Sequence, residues 1–466
     1  MTGAQAATRS LRLTATFPWL HLALLVAAGS QVWIAVAFGS LGGSDRASWV
    51  VALTLCFGLG LSTAAVLLSC WVTRDKSPPL ALAAIVVAGL VMRLAYFGSG
   101  PALEDDHFRY QLDGAMTAQV LNPYAFSPHA LMAGSAPEAY RVIGEAGRAV
   151  IQQINFPELR SIYPGVAQLL FALAHALDPW SVDGLRAVIL ACEILTALLC
   201  WKLLRTMGLP VHWLAMLWCN PLLAFCLTGQ AHIDAALGPP LLAMLFALRS
   251  ARGSLAGAAL GLAVGIKLWP VMLTPVVLRG LGADRRAQLA CLGVMAMVVV
   301  ASCTPLLHAS LFAQSGLVAY ATGWHMNNLP YEWVSYALYQ LADGPGFERY
   351  LRATVTAASV AIAVGLALRP VRDLHDIVAR LAVVAAAVFY LSPAQFPWYA
   401  VWFIPLAVLA GNWALLSATA ALPTYFLFFP MAGTAWGDVY RYGFSGLHLV
   451  PVLVITLVLW RRRATA

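Results

Sequence analysis

Long apolar runs recur along almost the whole chain and constrain its fold more than any other sequence feature. The first extends from Phe17 to Phe38, and the later runs have the roughly 17 to 24 residues that a helix needs to cross a bilayer. Only 10% of the 466 residues are charged and 61% are hydrophobic, whereas soluble domains carry about 25% charged residues. The sequence therefore excludes a soluble globular domain and predicts an all-α polytopic membrane protein.

About twelve crossings account for these runs, in a single integral-membrane domain over residues 1–466. A retained first helix is favoured over a cleaved signal peptide because its apolar run is too long, although the alanine-rich triplet 35–37 is typical of a cleavage site. Two apolar stretches, 161–177 and 255–278, are expected to be re-entrant or interfacial. The further predicted spans are 49–72, 79–97, 185–204, 211–228, 232–248, 288–306, 350–368, 379–391, 397–412, 413–429 and 446–460.

The distribution of charge predicts the sidedness of the chain. If 161–177 and 255–278 both turn back, 17 of the 28 basic residues lie in the cytoplasm and 15 of the 20 acids lie outside. Full crossing would move four basic residues between 202 and 252 to the outside. The preferred topology has cytoplasmic termini and one large outer loop, 98–160, with smaller outer loops at 307–349, 392–396 and 430–445. The net charge of +8 then reflects short clusters at the membrane, and we expect no nucleic-acid partner.

Three consecutive carboxylates, Glu104, Asp105 and Asp106, lie in the first part of the 98–160 loop. Like charges at this spacing repel each other, and a shared divalent cation, arginine or proton relieves the repulsion. Asp105 and Asp106 are therefore candidate catalytic residues, one of which deprotonates an acceptor hydroxyl as general base. The alternative is an acidic loop end that is merely solvated.

A second polar group is predicted to join them at the outer face. His232 and Asp234 lie between two apolar spans, and this spacing suits a metal or substrate site. A possible cofactor is thus a divalent cation, Mg²⁺ or Mn²⁺, with Asp106 and Asp234 as its ligands. A capped helix start with Asp234 in the first turn explains the same pattern.

Aromatic and proline-rich turns supply further candidate substrate-binding residues. Tyr124 and Tyr163 accompany rigid X-Pro turns, which suit a sugar platform and equally serve as ordinary turns. A later corner with three prolines presents Gln395, Trp398 and Tyr399. An interfacial aromatic belt is the alternative explanation for this corner.

Lys267 is the only lysine inside an apolar segment, which Pro270 interrupts. An unpaired ammonium is costly in lipid, so a functional role is expected, such as holding a lipid phosphate together with Arg93. The alternative is a structural ion pair between Glu193 and one of these two cations.

Seven sequence segments in order carry a resemblance to a known family, over about residues 90–410. The chain resembles the GT-C superfamily of integral-membrane glycosyltransferases, and more narrowly is similar to bacterial polyprenol-phosphate-mannose-dependent mannosyltransferases. The segments are HFRYQLDG, LNPYAFSP, IYPG, CNPLLAF, GQAHIDAAL, GIKLWPVMLTP and SPAQFPWYAVWFIP.

The resemblance implies a GT-C-like bundle in the bacterial inner membrane, with catalysis in the large extracytoplasmic loop. It implies inverting transfer of mannose from a polyprenyl-phosphate donor to a lipid-linked glycan, glycolipid or protein, among membrane lipids. Asp106 matches the family's acid before an Arg-Tyr pair, and Asp105 its acidic neighbour. Gly165 departs from the usual Tyr-Pro-Pro pattern, which affects the expected shape of the acceptor entrance. The other matching positions are Arg109, Tyr110, Asp113, Asp234 and Lys267.

A polytopic transporter or lipid flippase is the competing function, since hydropathy alone permits it. Transporters place ionisable groups near the membrane midplane, often within paired repeats. Here the acids are predicted to crowd one outer face, and no clear repeat is visible. This pattern favours the glycosyltransferase.

Overall fold

The computed structural model describes residues 17–38, 48–74, 80–341 and 346–464. Every regular element in these ranges is helical, and the one β-bridge joins Met326 to Ala394. The all-α prediction is therefore confirmed for the described part of the chain. Three of the 17 basic residues that the preferred topology places in the cytoplasm, Arg9, Arg12 and Lys76, lie outside the described part.

The helices differ greatly in length, and the short ones concentrate in the middle of the chain and near its end. In chain order they are α1 (Phe17–Phe38), α2 (Trp49–Val72), α3 (Ala81–Leu94), α4 (Asp106–Ala118), α5 (Pro128–Met132), α6 (Glu138–Ala146), α7 (Arg148–Ile151), α8 (Gly165–Leu177), α9 (Val182–Thr206), α10 (Ala215–Trp218), α11 (Pro221–Ala224), α12 (Gly238–Arg249), α13 (Gly253–Ile266), α14 (Thr274–Gly280), α15 (Arg285–Ala309), α16 (Gly316–Gly323), α17 (Leu329–Leu341), α18 (Gly346–Leu368), α19 (Leu374–Leu391), α20 (Ile404–Ala410), α21 (Trp413–Ala421), α22 (Phe428–Met431), α23 (Gly437–Tyr442) and α24 (Leu449–Ala464). Tighter or wider turns interrupt them at Val211–Leu214, Phe225–Gly229, Ile233–Leu237, Trp269–Leu273, Pro397–Trp402, Leu422–Leu427 and Phe444–Gly446.

Proline explains why many of these elements are short. It lacks an amide hydrogen, so a helix accepts it most readily in the first turn. Pro221, Pro270, Pro397 and Pro405 each occupy such a position, as the first or second residue of a new element. The apolar runs in this part of the chain are consequently folded as chains of short helices and turns.

Eight helical segments among the described residues are long and apolar enough to cross a membrane. A ninth results if the bent pair Val211–Trp218 and Pro221–Gly229, which meet at 44°, forms one span. The chain is thus a polytopic membrane protein, but the predicted count of about twelve crossings is not confirmed. The eight segments are Trp19–Phe38, Trp49–Val72, Val182–Thr206, Arg285–Ala309, Phe347–Leu368, Leu374–Leu391, Trp413–Met431 and Gly437–Arg462.

Three further predicted spans, besides the bent 211–228 run, are shorter or broken in the structure. The 79–97 run forms α3, which has only 14 residues. The 232–248 and 397–412 runs are each divided between a tight turn and a following helix, α12 or α20. Hydropathy could not anticipate this outcome, because the runs remain apolar across the turns.

The two awkward stretches also lack a continuous long helix. Within 161–177 the helix α8 has 13 residues, so it is about 20 Å long at 1.5 Å per residue. This length is below the ~30 Å thickness of the apolar bilayer core. Within 255–278 the helix α13 ends at Ile266, and a tight turn separates it from α14.

Glycines bring α13 unusually close to α15. A Cβ added at Gly253 would lie 1.9 Å from the Ala287 carbonyl oxygen, and one at Gly257 would lie 2.1 Å from that of Cys291. Because both contacts advance by four residues, the helices run parallel, and only glycine permits this approach. Lys267 follows directly at the end of α13. The contact stripe consists of Gly253, Gly257, Gly261 and Gly265.

Candidate active site

A cavity of about 550 Å³ lies between the start of α4, the loop before α8 and the turn that follows α19. Aromatic side chains form much of its wall, and the carboxylates that the sequence singled out lie on one side. The predicted site residues that line it are Glu104, Asp105, Asp106, Arg109, Tyr163, Trp398 and Tyr399. Sequence reasoning missed Asn155, Phe156, Tyr320, Trp324, Tyr425, Phe428 and Phe429, which also line it.

Asp106 occupies the first position of α4, where the helix dipole favours a carboxylate. Its side chain is 43% exposed, and its Oδ2 lies 3.7 Å from His232 Nδ1. The Tyr110 hydroxyl donates to the same oxygen at 3.4 Å. Enclosure by protein, followed by repulsion from Asp105, raises the pKa of Asp106 to about 6, while the nearby Lys267 ammonium opposes the shift. Asp106 is thus accessible and basic.

The neighbouring Arg109 holds the loop that forms the opposite rim. Its guanidinium donates to the Leu159 carbonyl at 3.0 Å and to the Phe156 carbonyl at 3.2 Å. The Asn155 amide from the same loop donates to Asp105. Both side chains therefore link the acidic segment to the rim, in addition to lining the cavity.

Lys267 and Asp234 form an ion pair beside the cavity. Their Nζ and Oδ1 atoms are 2.6 Å apart, and the Trp402 indole donates to the same Oδ1 at 2.8 Å. The ammonium lies 4.0 Å from the centre of the Tyr399 ring, which lines the cavity. The Lys267 side chain is 22% exposed, whereas that of Asp234 is 1% exposed. Asp234 therefore fixes a cation that stays partly accessible.

A second ion pair is sealed inside the helices. Arg93 Nη2 contacts Glu193 Oε1 at 2.6 Å, with side chains only 2% and 6% exposed. The guanidinium also donates to the Trp218 carbonyl at 2.7 Å and covers the Trp218 ring. Of the two cations considered for Glu193, Arg93 is the partner found. Its predicted place beside Lys267 at a lipid phosphate is wrong, because this pairing buries it elsewhere.

Two predicted binding residues lie behind the cavity wall. Asp113 is buried, accepts a hydrogen bond from Gln168 at 3.0 Å and also contacts the Ser161 hydroxyl. The Tyr124 hydroxyl donates to the Tyr163 carbonyl at 2.6 Å. Both therefore fix the segment 161–163 that carries the cavity residue Tyr163, and neither lines the cavity.

Gln395 is likewise withdrawn from the cavity. Its side chain is fully buried, donates to the Tyr390 carbonyl at 2.8 Å and lies 2.7 Å from His448 Nε2. It fixes the turn that presents Trp398 and Tyr399. Tyr110 is also buried, but it reaches the site through its hydroxyl.

A clamp joins the two polar segments of the site. Gln230 accepts a hydrogen bond from the Glu104 amide at 3.1 Å. The buried guanidinium of Arg186 donates to the Gly229 carbonyl at 2.8 Å and to the Ser99 carbonyl. Segments more than 120 residues apart are thereby held side by side. Sequence analysis missed Arg186, because a single arginine in an apolar helix gives no signal of its partners.

The predicted divalent-cation site does not fit this arrangement. Among the residues that the structure describes, no group of three or more His, Cys, Asp or Glu side chains is placed to hold a metal. The Asp234 carboxylate is instead engaged by the Lys267 ammonium and the Trp402 indole. In this arrangement Asp234 is already engaged, which does not favour a Mg²⁺ or Mn²⁺ ion shared by Asp106 and Asp234.

Comparison with known families adds evidence that geometry alone does not supply. The family model of glycosyltransferase family 87 matches residues 162–394, which is half of the 466 residues. The chain belongs to this family. Glycosyltransferase family 87 is a GT-C-type family of membrane enzymes. The protein is therefore a glycosyltransferase with membrane helices. No curated protein matches the chain.

The matched region covers only part of the site of this glycosyltransferase. It includes Tyr163, Asp234 and Lys267 but begins after the acidic segment 104–106 and ends before Trp398. The structure brings these outlying residues to the same cavity. The case for Asp106 therefore depends on geometry rather than on the family match.

Proposed function

We propose that this glycosyltransferase transfers mannose from a polyprenyl-phosphate donor to an acceptor hydroxyl, with inversion at the anomeric carbon. The observation that carries the proposal is that two charged groups lie near one cavity: the accessible Asp106 carboxylate and the partly exposed Lys267 ammonium. Base and cation are the two groups that such a displacement needs. The acceptor is a lipid-linked glycan, a glycolipid or a protein.

Asp106 is the general base in this proposal. It accepts the proton of the acceptor hydroxyl as that oxygen forms a bond to the anomeric carbon. The bond from this carbon to the phosphate oxygen breaks, and its electron pair leaves with the polyprenyl phosphate. A pKa raised to about 6 makes Asp106 a stronger base than an ordinary carboxylate while leaving it ionised at neutral pH. In a single displacement the acceptor oxygen enters opposite the leaving phosphate, so the configuration at the anomeric carbon is inverted.

Lys267 stabilises the negative charge that develops on the leaving phosphate. An ammonium has three donors, and Asp234 accepts from it at one oxygen. Tyr399 and Trp402 both face the cation and restrict its movement. A pre-positioned charge of this kind stabilises the transition state without reorganisation.

The aromatic wall suits the sugar. Carbohydrate rings present C–H faces that pack on aromatic rings, while their hydroxyls need polar partners. Trp398 and Phe396 are stacked with 4.5 Å between ring centres, and Tyr425 crosses both nearly at right angles. The Tyr425 hydroxyl also donates to Glu104 at 3.2 Å, which places a fixed carboxylate beside this wall.

The same proposal includes a location and a topology. The glycosyltransferase lies in the bacterial inner membrane with about twelve crossings, cytoplasmic termini and an extracytoplasmic cavity. The excess of arginine in the segments assigned to the cytoplasm supports this orientation. A lipid-linked donor then reaches the cavity where its headgroup leaves the bilayer.

A transfer assay tests the chemistry. Purified protein is mixed with synthetic polyprenyl-phosphate mannose, arabinose or glucose and with a membrane-lipid extract as acceptor source. Release of polyprenyl phosphate from the mannose donor is expected, and Asp106→Asn should reduce it by about 100-fold or more. Donor binding and melting temperature should stay close to wild type. Preference for another sugar would contradict the mannose assignment, and full activity of Asp106→Asn would remove this residue from the mechanism.

Cysteine labelling tests the topology. In a cysteine-free background, Ser135→Cys in the 98–160 loop should react with a membrane-impermeant maleimide in intact spheroplasts. Ser250→Cys, after α12, should react only once the membrane is permeabilised. Both positions are exposed, so accessibility reports on sidedness. The reverse pattern would place the cavity in the cytoplasm.

A further inference from the structure

A second cavity of about 250 Å³ adjoins the active-site cavity. Met326 and Phe428 line both cavities, so the two spaces are neighbours that share these side chains as wall. Nothing in the proposed reaction uses the second space. Its polar wall comes from the segment around α17 and from α23, and includes His325, Asn327, Glu332, Asp438, Arg441 and Ser445.

The polar wall of the second cavity is rigidly built. Glu332 is 5% exposed, and its two oxygens contact His325 Nδ1 and Arg441 Nε, each at 2.6 Å. Asn327 is tied to the same wall, because its side-chain oxygen accepts from the Tyr440 hydroxyl at 2.9 Å. The Arg441 side chain remains 44% exposed, so a guanidinium with five donors is held in place with part of it accessible.

The balance of charge limits what this cavity can bind. Even with His325 protonated, the two cations His325 and Arg441 are matched by the carboxylates of Glu332 and Asp438. A phosphate or another anion would find no excess of positive charge there. A neutral ligand rich in hydroxyls finds both donors and acceptors, and the Phe428 ring offers an apolar face for its C–H groups.

We propose that this second cavity binds the carbohydrate part of the acceptor that lies next to the reacting sugar. The inference deepens the proposed function and rests on it. A hydroxyl that reaches Asp106 must lie in the first cavity, so a neighbouring sugar of the same acceptor can enter the second cavity past Met326 and Phe428. Acceptors with two sugars should therefore bind more tightly than acceptors with one.

Binding of two synthetic probes tests the inference. The affinities of octyl mannoside and octyl dimannoside are measured on the purified full-length protein. We expect wild type to bind the dimannoside about tenfold more tightly, as for one additional hydrogen bond to a charged group. Asp438→Asn and Arg441→Gln should each remove most of this preference while leaving the affinity for the monomannoside within about twofold. Polyprenyl-phosphate affinity should not change.

Matched variants separate binding from folding. Asp178→Asn and Arg148→Gln carry the same substitutions at exposed positions that line neither cavity, and they should retain the preference. Arg441→Gln leaves Glu332 with one partner fewer, so Arg441→Lys and the space-filling Ala432→Phe are measured as well. We expect Arg441→Lys to keep part of the preference and Ala432→Phe to abolish it, with melting temperatures near wild type.

The outcomes distinguish this inference from the proposed function. Equal affinity of wild type for the two glycosides, no saturable binding of either, or an unchanged preference in Asp438→Asn and Ala432→Phe would each overturn the second subsite. Donor consumption by wild type would still support the transfer reaction in those cases. Conversely, loss of the dimannoside preference in the variants of a protein that never consumes the donor would overturn the reaction and keep the subsite.

Discussion

Two ion pairs of the glycosyltransferase have equal lengths but different surroundings. Arg93 and Glu193 are 2.6 Å apart and sealed, with side chains 2% and 6% exposed. Lys267 and Asp234 are also 2.6 Å apart, but the lysine is 22% exposed. The first pair joins two continuous helices, α3 and α9, whereas the second joins two breaks in the helical structure. Distance alone thus says little about a pair's role, and access to a cavity separates a structural pair from a ligand.

Disrupting the sealed pair of Arg93 and Glu193 should have the largest effect, and that effect should be on stability. Glu193→Gln leaves the Arg93 guanidinium buried without its counter-charge, which typically costs about 3 to 5 kcal/mol. A large fall in melting temperature in detergent is expected, while the protein that stays folded transfers sugar at close to the wild-type rate. The double variant Arg93→Met with Glu193→Gln should recover much of the loss. A stable but inactive Glu193→Gln protein would break the comparison.

Disrupting the open pair of Lys267 and Asp234 should weaken donor binding. Lys267→Met removes a charge-assisted contact to the donor phosphate, worth roughly 1.5 to 3 kcal/mol, and should raise the donor KM about tenfold or more. Lost stability should be smaller than for Glu193→Gln, because the Lys267 side chain is partly exposed and the Trp402 indole still donates to Asp234.

Adding Asp234→Asn separates the two possible roles of Lys267. If the lysine binds donor, the double variant regains stability but keeps the weak donor affinity. Recovery of both properties would make this pair structural, like Arg93 and Glu193.

The smallest effect concerns pH, and it sharpens the contrast between the open and sealed regions. Asp106 must be ionised to accept a proton, and its pKa of about 6 predicts that kcat/KM falls as the pH drops below that value and levels off above it. Asp105→Asn removes a repulsive charge, lowers the pKa of Asp106 and should shift the acidic limb to lower pH. A rate profile for wild type and Asp105→Asn measures both. An unmoved limb in the variant would separate Asp106 from the titrating group.

The long continuous helices were predictable from hydropathy. Trp49–Val72 occurs over the residues expected for it, and the predicted spans around α9, α15 and α19 are helices a few residues longer than expected. A helix that faces lipid needs only a continuous apolar run, which the sequence shows directly. The interrupted runs were predicted less well, since their prolines and tight turns leave the mean hydropathy unchanged.

The site was predictable in its residue types more than in its contacts. Consecutive acids identified Asp105 and Asp106, and the cost of a charge in an apolar segment identified Lys267. The partner of Lys267 is Asp234, which the sequence had offered as a metal ligand instead. Pairing between residues 33 positions apart depends on how two helix breaks meet.

The sequence by itself determined that this chain is a helical membrane protein, because apolar length and scarce charge are properties of composition and order. It also determined which ionisable residues would be costly to bury. Only the tertiary structure decided which cation pairs with which carboxylate, since from the sequence Arg93 and Lys267 were equally good partners for Glu193. Burial behind Trp218 closed one pair, and the cavity beside Tyr399 left the other open. That difference in access comes from the packing of segments distant in the chain, which no local pattern encodes.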